Sequence, residues 1–229
     1  MAGYYDHHHK HFVALDCIIF GFDGNDLKLL LIKRGFEPEK GKWSLMGGFL
    51  KAEESLNEGA SSILKQLTGL TDVYMEQLYA YGEVNRDPVA RTLSVAYYAL
   101  MRVDDYDASQ ARAYGAQWFP VAALPHLIFD HNEMVQRALA RLKKKTRNQP
   151  IGFELLPQKF TIPQLRRLYE AIHQQMIDPR NFSKKLHAMK LLTKLDEKDK
   201  SSSKKGAYLY QFDQNRYENL RSEGFSFWL

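Results

Sequence analysis

Residues 47–70 read Gly-Gly-Phe-Leu-Lys-Ala-Glu-Glu-Ser-Leu-Asn-Glu-Gly-Ala-Ser-Ser-Ile-Leu-Lys-Gln-Leu-Thr-Gly-Leu. Two glycines and a short loop precede a run in which apolar residues recur at intervals of three and four, namely Leu56, Ala60, Ile63, Leu64 and Leu67. This spacing predicts an amphipathic helix over Ser55–Leu67. Gly69 follows as a stop signal, because glycine readily adopts the left-handed conformation that ends helices. The stretch is therefore a loop–helix–loop unit.

This unit resembles the Nudix box, the loop–helix–loop signature of nucleoside-diphosphate hydrolases. The framework of the signature is in register without a gap at Gly48, Glu54, Leu64, Gly69 and Leu70. Its catalytic positions differ. Where the family has Arg-Glu, this chain has Ser62-Ile63, and where the family has Glu-Glu, this chain has Gln66-Leu67.

The changed positions are those that would hold a metal ion. Residues 63, 66 and 67 share one helix face, where three carboxylates would bind Mg²⁺, an ion that prefers oxygen ligands. Ile, Gln and Leu leave one neutral amide, so nothing would neutralise the charge that develops on a phosphate. We interpret Glu54 and Glu58 as a solvated face and predict no catalytic residue, no metal and no cofactor, hence no enzyme. The alternative is a hydrolase of ADP-ribose or another nucleoside-diphosphate sugar with an unusual metal arrangement.

The first half of the chain reads as strands around this helix. Alternating, β-branched and aromatic residues predict strands at Phe12–Phe22, Leu27–Lys33, Gln77–Glu83, Thr92–Val103 and Gln117–Pro120. A second helix is predicted over Asn132–Lys145. It gives way to the basic, polar run Lys143–Pro150, which we interpret as a linker. The domain boundary is placed there, with residues 1–149 as a Nudix-like sensing domain and residues 150–229 as a second domain.

The second half has the element order of a winged helix. Ile151–Leu156 is predicted as a short strand, and Thr161 is a suitable N-cap for the helix that follows. After a turn at His173–Ile177, Asp178-Pro179 opens a second helix that runs to about Lys190. Two strands, Leu191–Leu195 and Ala207–Phe212, then flank the lysine-rich loop Asp196–Gly206. The predicted fold class is therefore α+β, with an N-terminal Nudix α/β/α sandwich and a C-terminal winged helix-turn-helix domain.

The second helix of this domain has the chemistry of a DNA-recognition helix. Its polar face and the loop tip supply the predicted DNA-binding residues Arg180, Asn181, Lys184, Lys185, Lys204 and Lys205. Such side chains contact phosphates and donate to guanine and adenine edges in a major groove. The alternative is an ordinary solvated helix with a lysine loop. A single-stranded nucleic-acid binder is a weaker possibility, because Tyr169 and Phe182 lie on apolar stripes.

The charge distribution indicates two separate functions in one chain. The 229 residues carry a net charge of +5, but residues 1–136 hold 12 Lys+Arg against 18 Asp+Glu, whereas the remainder holds 20 against 9. A basic half next to an acidic half suggests a polyanionic partner. No apolar run is long enough for a membrane span, and one cysteine, Cys17, suits a reducing compartment. We therefore expect a cytoplasmic protein without membrane contact.

The combination resembles the Nudix-related transcriptional regulators of bacteria. The resemblance runs from about Phe12 to Phe212 and rests on Arg86-Asp87-Pro88, Ser94–Tyr98, Phe129-Asp130-His131, Phe160-Thr161, Leu168–Ala171 and Asp178–Phe182. One branch of that family controls NAD metabolism and answers to ADP-ribose, and the other controls pentose use. Leu15–Phe22, Trp43–Phe49 and Val73–Gln77 look closest to the L-arabinose regulator of Bacteroides-type bacteria.

This resemblance implies a homodimeric repressor. The Nudix domain would sense a small molecule, and the winged helices would hold a palindromic double-stranded operator. We expect release by L-arabinose or a related pentose, with a regulator of NAD metabolism that senses ADP-ribose as an alternative.

Polar residues around the Nudix helix are the candidates for effector binding. They are Asp16, Arg34, Trp43, Glu83, Arg86, Asp87, Arg91 and Tyr97. Carboxylates and an aromatic face suit a sugar, whereas arginines suit a pyrophosphate, so the composition leaves both effectors open. Each residue taken alone is as well explained by a surface ion pair or a loop cap.

Three further features have simpler interpretations. The histidines of His7–His11 are interpreted as a solvated tail without defined metal geometry, and Tyr4 and Tyr5 could close over the cleft or fray. His131 is expected to fix a helix start. The aromatic residues Phe225, Phe227 and Trp228 could pack against the winged helix or a partner subunit.

Overall fold

A computed structural model describes residues 3, 7–71, 73–106, 108–201, 204–225 and 227; Tyr4, Tyr5 and Trp228 lie outside this range. The first domain is built on a mixed sheet. Its strands are β1 (Phe12–Phe22), β2 (Leu27–Lys33), β3 (Trp43–Ser44), β4 (Met46–Phe49), β5 (Glu76–Tyr81), β6 (Thr92–Arg102) and β7 (Ala116–Pro120). The order is β3-β2-β1-β6-β5, with β4 also paired to β1 and β7 to β2. The five predicted strands are present, each within two residues of its predicted ends.

Strand β1 is the centre of the sheet, paired in parallel with β6 and antiparallel with β2 and β4. Successive side chains of a strand point to opposite faces. Leu15, Cys17 and Ile19 accordingly belong to one apolar core, and Ile18 and Phe20 belong to a second core on the other face. The even-numbered face also carries the polar Asp16.

Helix α1 (Leu56–Thr68) covers the odd-numbered face of β1. Ser55 caps its start, with Glu58 completing a capping box, and Gly69 ends it at φ 76°. A short helix, α2 (Ala108–Ala113), lies between β6 and β7. The predicted helix over Ser55–Leu67 is therefore present with the predicted stop.

Helix α3 (His131–Asn148) covers the other face of the sheet and continues towards the second domain. The interpretation of Lys143–Pro150 as a linker is wrong, because the helix runs through the basic residues to Asn148. Leu142 and Thr146 on its inner face are fully buried. This burial keeps the basic run helical. One apolar core extends from Leu142 across to Leu165 and Leu168 of the second domain.

The second domain is a winged helix. Its elements are β8 (Phe160–Thr161), α4 (Ile162–His173), α5 (Pro179–Met189), β9 (Leu192–Asp199), β10 (Ala207–Phe212) and α6 (Gln214–Ser222). The strands pair in the order β8-β10-β9. Thr161 and Asp178 cap α4 and α5 as predicted.

Two details of this domain differ from prediction. The strand predicted at Ile151–Leu156 is wrong, because Phe153–Leu155 forms a 3₁₀ turn that buries Leu155 and Leu156. Strand β9 extends to Asp199, which shortens the predicted loop Asp196–Gly206. With these corrections, the predicted α+β fold, with a sheet between helices followed by a winged helix, is confirmed. Among the described residues, no helix combines the length and apolar character needed to cross a membrane.

Candidate functional site

A buried charged cluster lies where β1, the β5–β6 loop and the start of α3 meet. Arg86 donates from Nε and Nη2 to the two carboxylate oxygens of Asp130, at 2.8 and 2.7 Å. Asp16 is 5% exposed, accepts a hydrogen bond from Ser94 Oγ at 2.5 Å, and lies 3.9 Å from Arg86 Nη2. Two carboxylates thus share one guanidinium, and a buried ion of this kind must be paired to be tolerated.

His131 completes the floor of this cluster. Its Nδ1 accepts a hydrogen bond from the Leu45 backbone N–H at 3.2 Å, so the ring proton is on Nε2, which faces Asp16 Oδ1 at 3.6 Å. Burial lowers the pKa of His131 despite the opposing effect of Asp16. The neutral imidazole therefore adds no positive charge, and the cluster keeps an excess of negative charge.

A narrow cleft opens above this floor. Arg34 forms one wall, with its guanidinium 4.1 Å from the Phe36 ring centroid and 5.4 Å from that of Phe129. Phe36 and Phe49, which also line the cleft, are 59% and 52% exposed, so their ring faces are accessible to a ligand. A cation, exposed aromatic faces and buried carboxylates can together hold a ligand that has anionic, planar and hydroxyl-bearing parts.

Gly47 allows this arrangement. It pairs with Asp16 across β4 and β1, and a Cβ at position 47 would overlap the Asp16 carboxylate. The neighbouring Gly48 lies against Ile63 of α1. The two glycines of the Nudix-box loop therefore let the strand pass between the buried acid and the helix.

The structure brings half of the predicted effector residues together. Asp16, Arg34, Arg86 and Asp87 line the cleft. Arg91 and Glu83 belong to the β5–β6 loop beside it, where Arg91 Nη1 donates to the Glu83 carbonyl oxygen at 3.0 Å. That bond joins the start and the end of the β5–β6 loop, which carries Arg86.

The structure places Trp43 and Tyr97 away from the cleft. Trp43 packs edge-on against Phe119, with ring centroids 4.7 Å apart. Tyr97 lies on the opposite face of the sheet, buried near α1, and donates to Asn57 Oδ1 at 2.8 Å. Both side chains contribute to packing, and neither lines the cleft.

Sequence reasoning missed several cleft residues, namely Phe36, Ser44, Gly47, Phe49, Thr92, Phe129 and His131. The motif Phe129-Asp130-His131 was a signal for this part of the cleft, and α3 does begin at His131, as expected. The Asp130 carboxylate bonds to Arg86 and makes no capping bond within the described part of α3. His131 Nδ1 accepts from the backbone N–H of Leu45, and this bond links the residue just before β4 to the start of α3.

The carboxylates left in the Nudix box have local partners. Lys51 Nζ donates to Glu54 at 3.0 Å and to Ser62 Oγ at 3.5 Å, which places a cation beside the position where the family has Arg. This bond lowers the pKa of Glu54. Glu58 accepts from the Ser55 backbone in the capping box. Within the described ranges, no group of three His, Cys, Asp or Glu residues could hold a metal ion.

Helix α5 presents a polar face to solvent. Arg180, Asn181, Lys184 and Lys185 are exposed, whereas Phe182 and Leu186 are buried against the rest of the domain. Lys204 and Lys205 are exposed at the β9–β10 turn. The structure thus brings the six predicted DNA-binding residues to the helix and the tip where a winged helix meets DNA.

The β9–β10 hairpin, which we call the wing, and the connection between α4 and α5 contain further residues that were not among the six predicted DNA-binding residues. On the wing, Lys194 and Lys198 lie 3.6 and 4.5 Å from the Tyr208 ring centroid. Glu170 of α4 accepts from Arg166 Nη1 of the same helix at 2.6 Å and from the backbone N–H of Ile177, in the α4–α5 turn, at 3.0 Å. The second bond ties the turn before α5 to α4.

Comparison with known families matches both halves of the chain. The family model of the NUDIX domain matches residues 10–141, and the family model described as the NrtR DNA-binding winged helix domain matches residues 152–212. The NUDIX match alone spans more than half of the chain.

Individual relatives match over most of the chain. The ADPR responsive transcriptional repressor NtrR of Acinetobacter baylyi is 31% identical over 90% of this chain and 84% of its own length. The crystal structure of Shewanella oneidensis NrtR complexed with a 27mer DNA superimposes with a TM-score of 0.78 at 27% identity, covering 94% of this chain and 97% of that one. The NUDIX domain of the same protein, complexed with ADP ribose, has a TM-score of 0.52 at 31% identity and covers 59% of this chain and 90% of that one. The chain therefore belongs to the NrtR family, in which a NUDIX domain precedes a DNA-binding winged helix.

Proposed function

We propose that this protein is a transcriptional repressor that binds a palindromic operator as a homodimer and releases it when a small effector occupies the cleft above Asp16. The observation that carries the proposal is the exposed face of α5, which presents Arg180, Asn181, Lys184 and Lys185 to solvent. Arg and Asn are the side chains that pair with guanine and adenine edges, and Lys supplies phosphate contacts. Because operator DNA lies in the bacterial cytoplasm, we place the protein there.

For the effector, we propose ADP-ribose. The relatives support this choice, because the A. baylyi repressor is named as ADPR responsive and the S. oneidensis NUDIX domain was crystallised with ADP ribose. In this chain, Arg34 would bind the pyrophosphate, Asp16 and Asp87 would accept ribose hydroxyls, and Phe36 or Phe49 would stack on the base.

L-arabinose is the second candidate effector. The cleft has carboxylates beside exposed aromatic rings, a combination that also suits a neutral pentose. The comparisons above lend the pentose no support. It stays a prediction that rests on the sequence resemblance.

The two effectors can be separated by thermal shift. We expect ADP-ribose to raise the melting temperature, because a ligand that binds only the folded state stabilises it. The rise should be lost in Arg34→Ala and kept in Tyr97→Phe, since Tyr97 lies on the other face of the sheet. If L-arabinose raised the melting temperature and ADP-ribose did not, the pentose would be the effector.

Helix α3 offers a route from the effector to DNA. It begins at His131 on the floor of the cleft and ends near Thr146, whose Oγ1 lies 3.1 Å from His173 Nε2 of α4. Lys143 Nζ also donates to Gln174 at 3.3 Å. An effector that prefers one position of α3 would shift α4 and, through the bond between Glu170 and the Ile177 backbone, α5.

DNA binding is tested by fluorescence anisotropy with a duplex that the protein selects from a random library. We expect Arg180→Ala combined with Lys184→Ala to weaken binding at least about 30-fold, at about 1–3 kcal/mol per contact. The matched control, Lys40→Ala with Lys65→Ala, removes the same charge from the first domain and should change affinity little. Equal binding by the first pair and its parent, with both folded, would overturn the recognition helix.

The family also raises the question of hydrolysis. We propose that the NUDIX domain is non-catalytic, because Ile63, Gln66 and Leu67 replace the carboxylates of the family pattern and Glu54 is paired with Lys51. The alternative hydrolase is tested by incubation with Mg²⁺ or Mn²⁺ and nucleoside-diphosphate sugars. Turnover that disappears in Glu54→Gln would overturn the non-catalytic interpretation.

A further inference from the structure

A groove of about 290 Å³ separates the end of α3 from the α4–α5 turn and α5. We call it the junction groove and define it by Arg147, Tyr169, His173, Asn181 and Lys185. Its walls come from three helices of two domains. It is remote from the effector cleft, which lies at the opposite end of α3.

The charged side chains that line this groove are two cations and one carboxylate. Arg147 comes from α3, and Lys185 and Asn181 come from α5. Among the described residues, the carboxylate in the lining is Asp178, which already accepts a hydrogen bond from the backbone N–H of Asn181 at 2.8 Å as the N-cap of α5. Burial together with the charges of Arg147 and Lys143 lowers the pKa of His173, which is the effect expected in a positive environment. The groove therefore suits an anion.

A buried hydroxyl in the groove wall provides an independent observation. Tyr169 is 2% exposed, and its hydroxyl has no hydrogen-bond partner among the described residues. Its ring lies between Phe182, with centroids 5.6 Å apart, and His173, at 6.3 Å. The charged group that acts on this hydroxyl is Glu154, which lies outside the groove lining. Because a buried donor without a partner is costly, an acceptor oxygen that reached the hydroxyl from the groove would be stabilised.

We propose that the junction groove binds a phosphate group, with Arg147 and Lys185 as its charge partners and Asn181 and the Tyr169 hydroxyl as donors. The phosphate comes either from the DNA backbone or from a free phosphorylated metabolite. The first source rests on the proposed DNA-binding function, and the second does not. With either source, Arg147 of α3 would contact the phosphate beside α5, the proposed recognition helix.

The first experiment titrates the full-length protein with inorganic phosphate and follows its melting temperature, with sodium chloride at equal ionic strength as the reference. We expect a rise that is specific to phosphate and is lost in Arg147→Ala. Arg141→Ala is the matched control, because it removes the same charge from an exposed site of α3 outside the groove. Tyr169→Phe should weaken the phosphate response without lowering the melting temperature in chloride. An unchanged phosphate response in Tyr169→Phe would contradict the role of the hydroxyl.

The second experiment measures duplex binding by anisotropy at several salt concentrations. If the DNA backbone supplies the phosphate, Arg147→Ala should weaken binding about tenfold or more and reduce the log–log salt slope by about one, whereas Arg141→Ala should not. A phosphate response without this change assigns the groove to a free metabolite. If the parent binds no duplex, the proposed function fails, and the phosphate titration alone decides the groove. If Arg147→Ala matches Arg141→Ala in both experiments, the groove binds no phosphate and the proposal is wrong.

Discussion

Arg86 and Asp130 form a two-point ion pair, at 2.7 and 2.8 Å, that fastens the β5–β6 loop to the first turn of α3. The Arg86 side chain is 3% exposed. The same guanidinium is the nearest cation to the buried Asp16, so the cleft and the helix share one positive charge.

Arg86→Ala should therefore destabilise the protein strongly. It leaves Asp16 and Asp130 without their counterion, and breaking a buried pair costs about 3–5 kcal/mol. Urea denaturation of the parent and the variant measures the difference. The control is Arg102→Ala, which removes an exposed partner of Asp105 and should cost less than about 1 kcal/mol. Similar losses in the two variants would contradict the central role of Arg86.

The buried His131 predicts a pH dependence. Its pKa is lowered in the folded state, so the unfolded chain binds a proton first as the pH falls below about 6.5. Stability should be fully present above that pH and should decrease as the pH falls towards the folded-state pKa. His173 contributes with the same sign. Denaturation midpoints measured between pH 7.5 and pH 5.5, roughly one unit to either side of the unfolded pKa, follow the loss.

The contribution of His131 can be isolated by His131→Gln. Glutamine can accept from the Leu45 amide with its side-chain oxygen and donate towards Asp16 with its nitrogen, but it does not titrate in this range. The variant should lose less stability than its parent on acidification. An identical loss would assign the effect to His173 or to the carboxylates.

Gly47→Ala tests the close approach of β4 to the buried acid. The new Cβ would overlap the Asp16 carboxylate, which could move only by giving up its bond to Ser94. We expect a loss of about 1–3 kcal/mol, as for other overpacked interiors, and weaker effector binding. At Gly35 a Cβ would contact no described atom within 4 Å, so Gly35→Ala is the control. If Gly47→Ala proved neutral in chemical denaturation, the strand would not need glycine at this position.

The wing predicts a measurable electrostatic contribution. Lys194 and Lys198 of β9 flank the exposed Tyr208 of β10, and the turn between these two strands carries Lys204 and Lys205. Replacing Lys194 and Lys198 by Gln should weaken binding to specific and nonspecific duplexes equally, because phosphate contacts carry no sequence information. The salt slope should fall by one to two, at about 0.9 per phosphate. A loss confined to the specific duplex would instead indicate base contacts.

The helices were predictable where local signals mark their ends. Ser55 and Gly69 bound α1, Thr161 opens α4, and Asp178-Pro179 opens α5. The continuation of α3 was not predictable in this way, because its basic run looks like a linker. Burial of Leu142 and Thr146 against the second domain keeps this segment helical. Such tertiary contacts leave no local mark in the sequence.

The candidate site was predictable in its chemistry but not in its geometry. Asp16 and Arg86 were named from their residue types, yet the site depends on contacts between distant positions, such as the one between Arg86 and Asp130 across 44 positions of the chain. Tyr97 was a reasonable candidate by type and by motif. It is excluded from the cleft because it lies on the other face of the sheet, below α1, and the sequence does not say which face of β6 meets the helix.

The continuity of α3 and of the apolar core around it limits how modular this protein can be. Leu142 and Thr146 belong to the sensing half by sequence, but they cover α4 of the DNA-binding half. A fragment that starts at Pro150 would expose the inner surface of α4 to water. A chimera that joins this winged helix to a foreign sensor should therefore retain the last turns of α3. Urea should unfold the intact chain in one cooperative transition rather than in two.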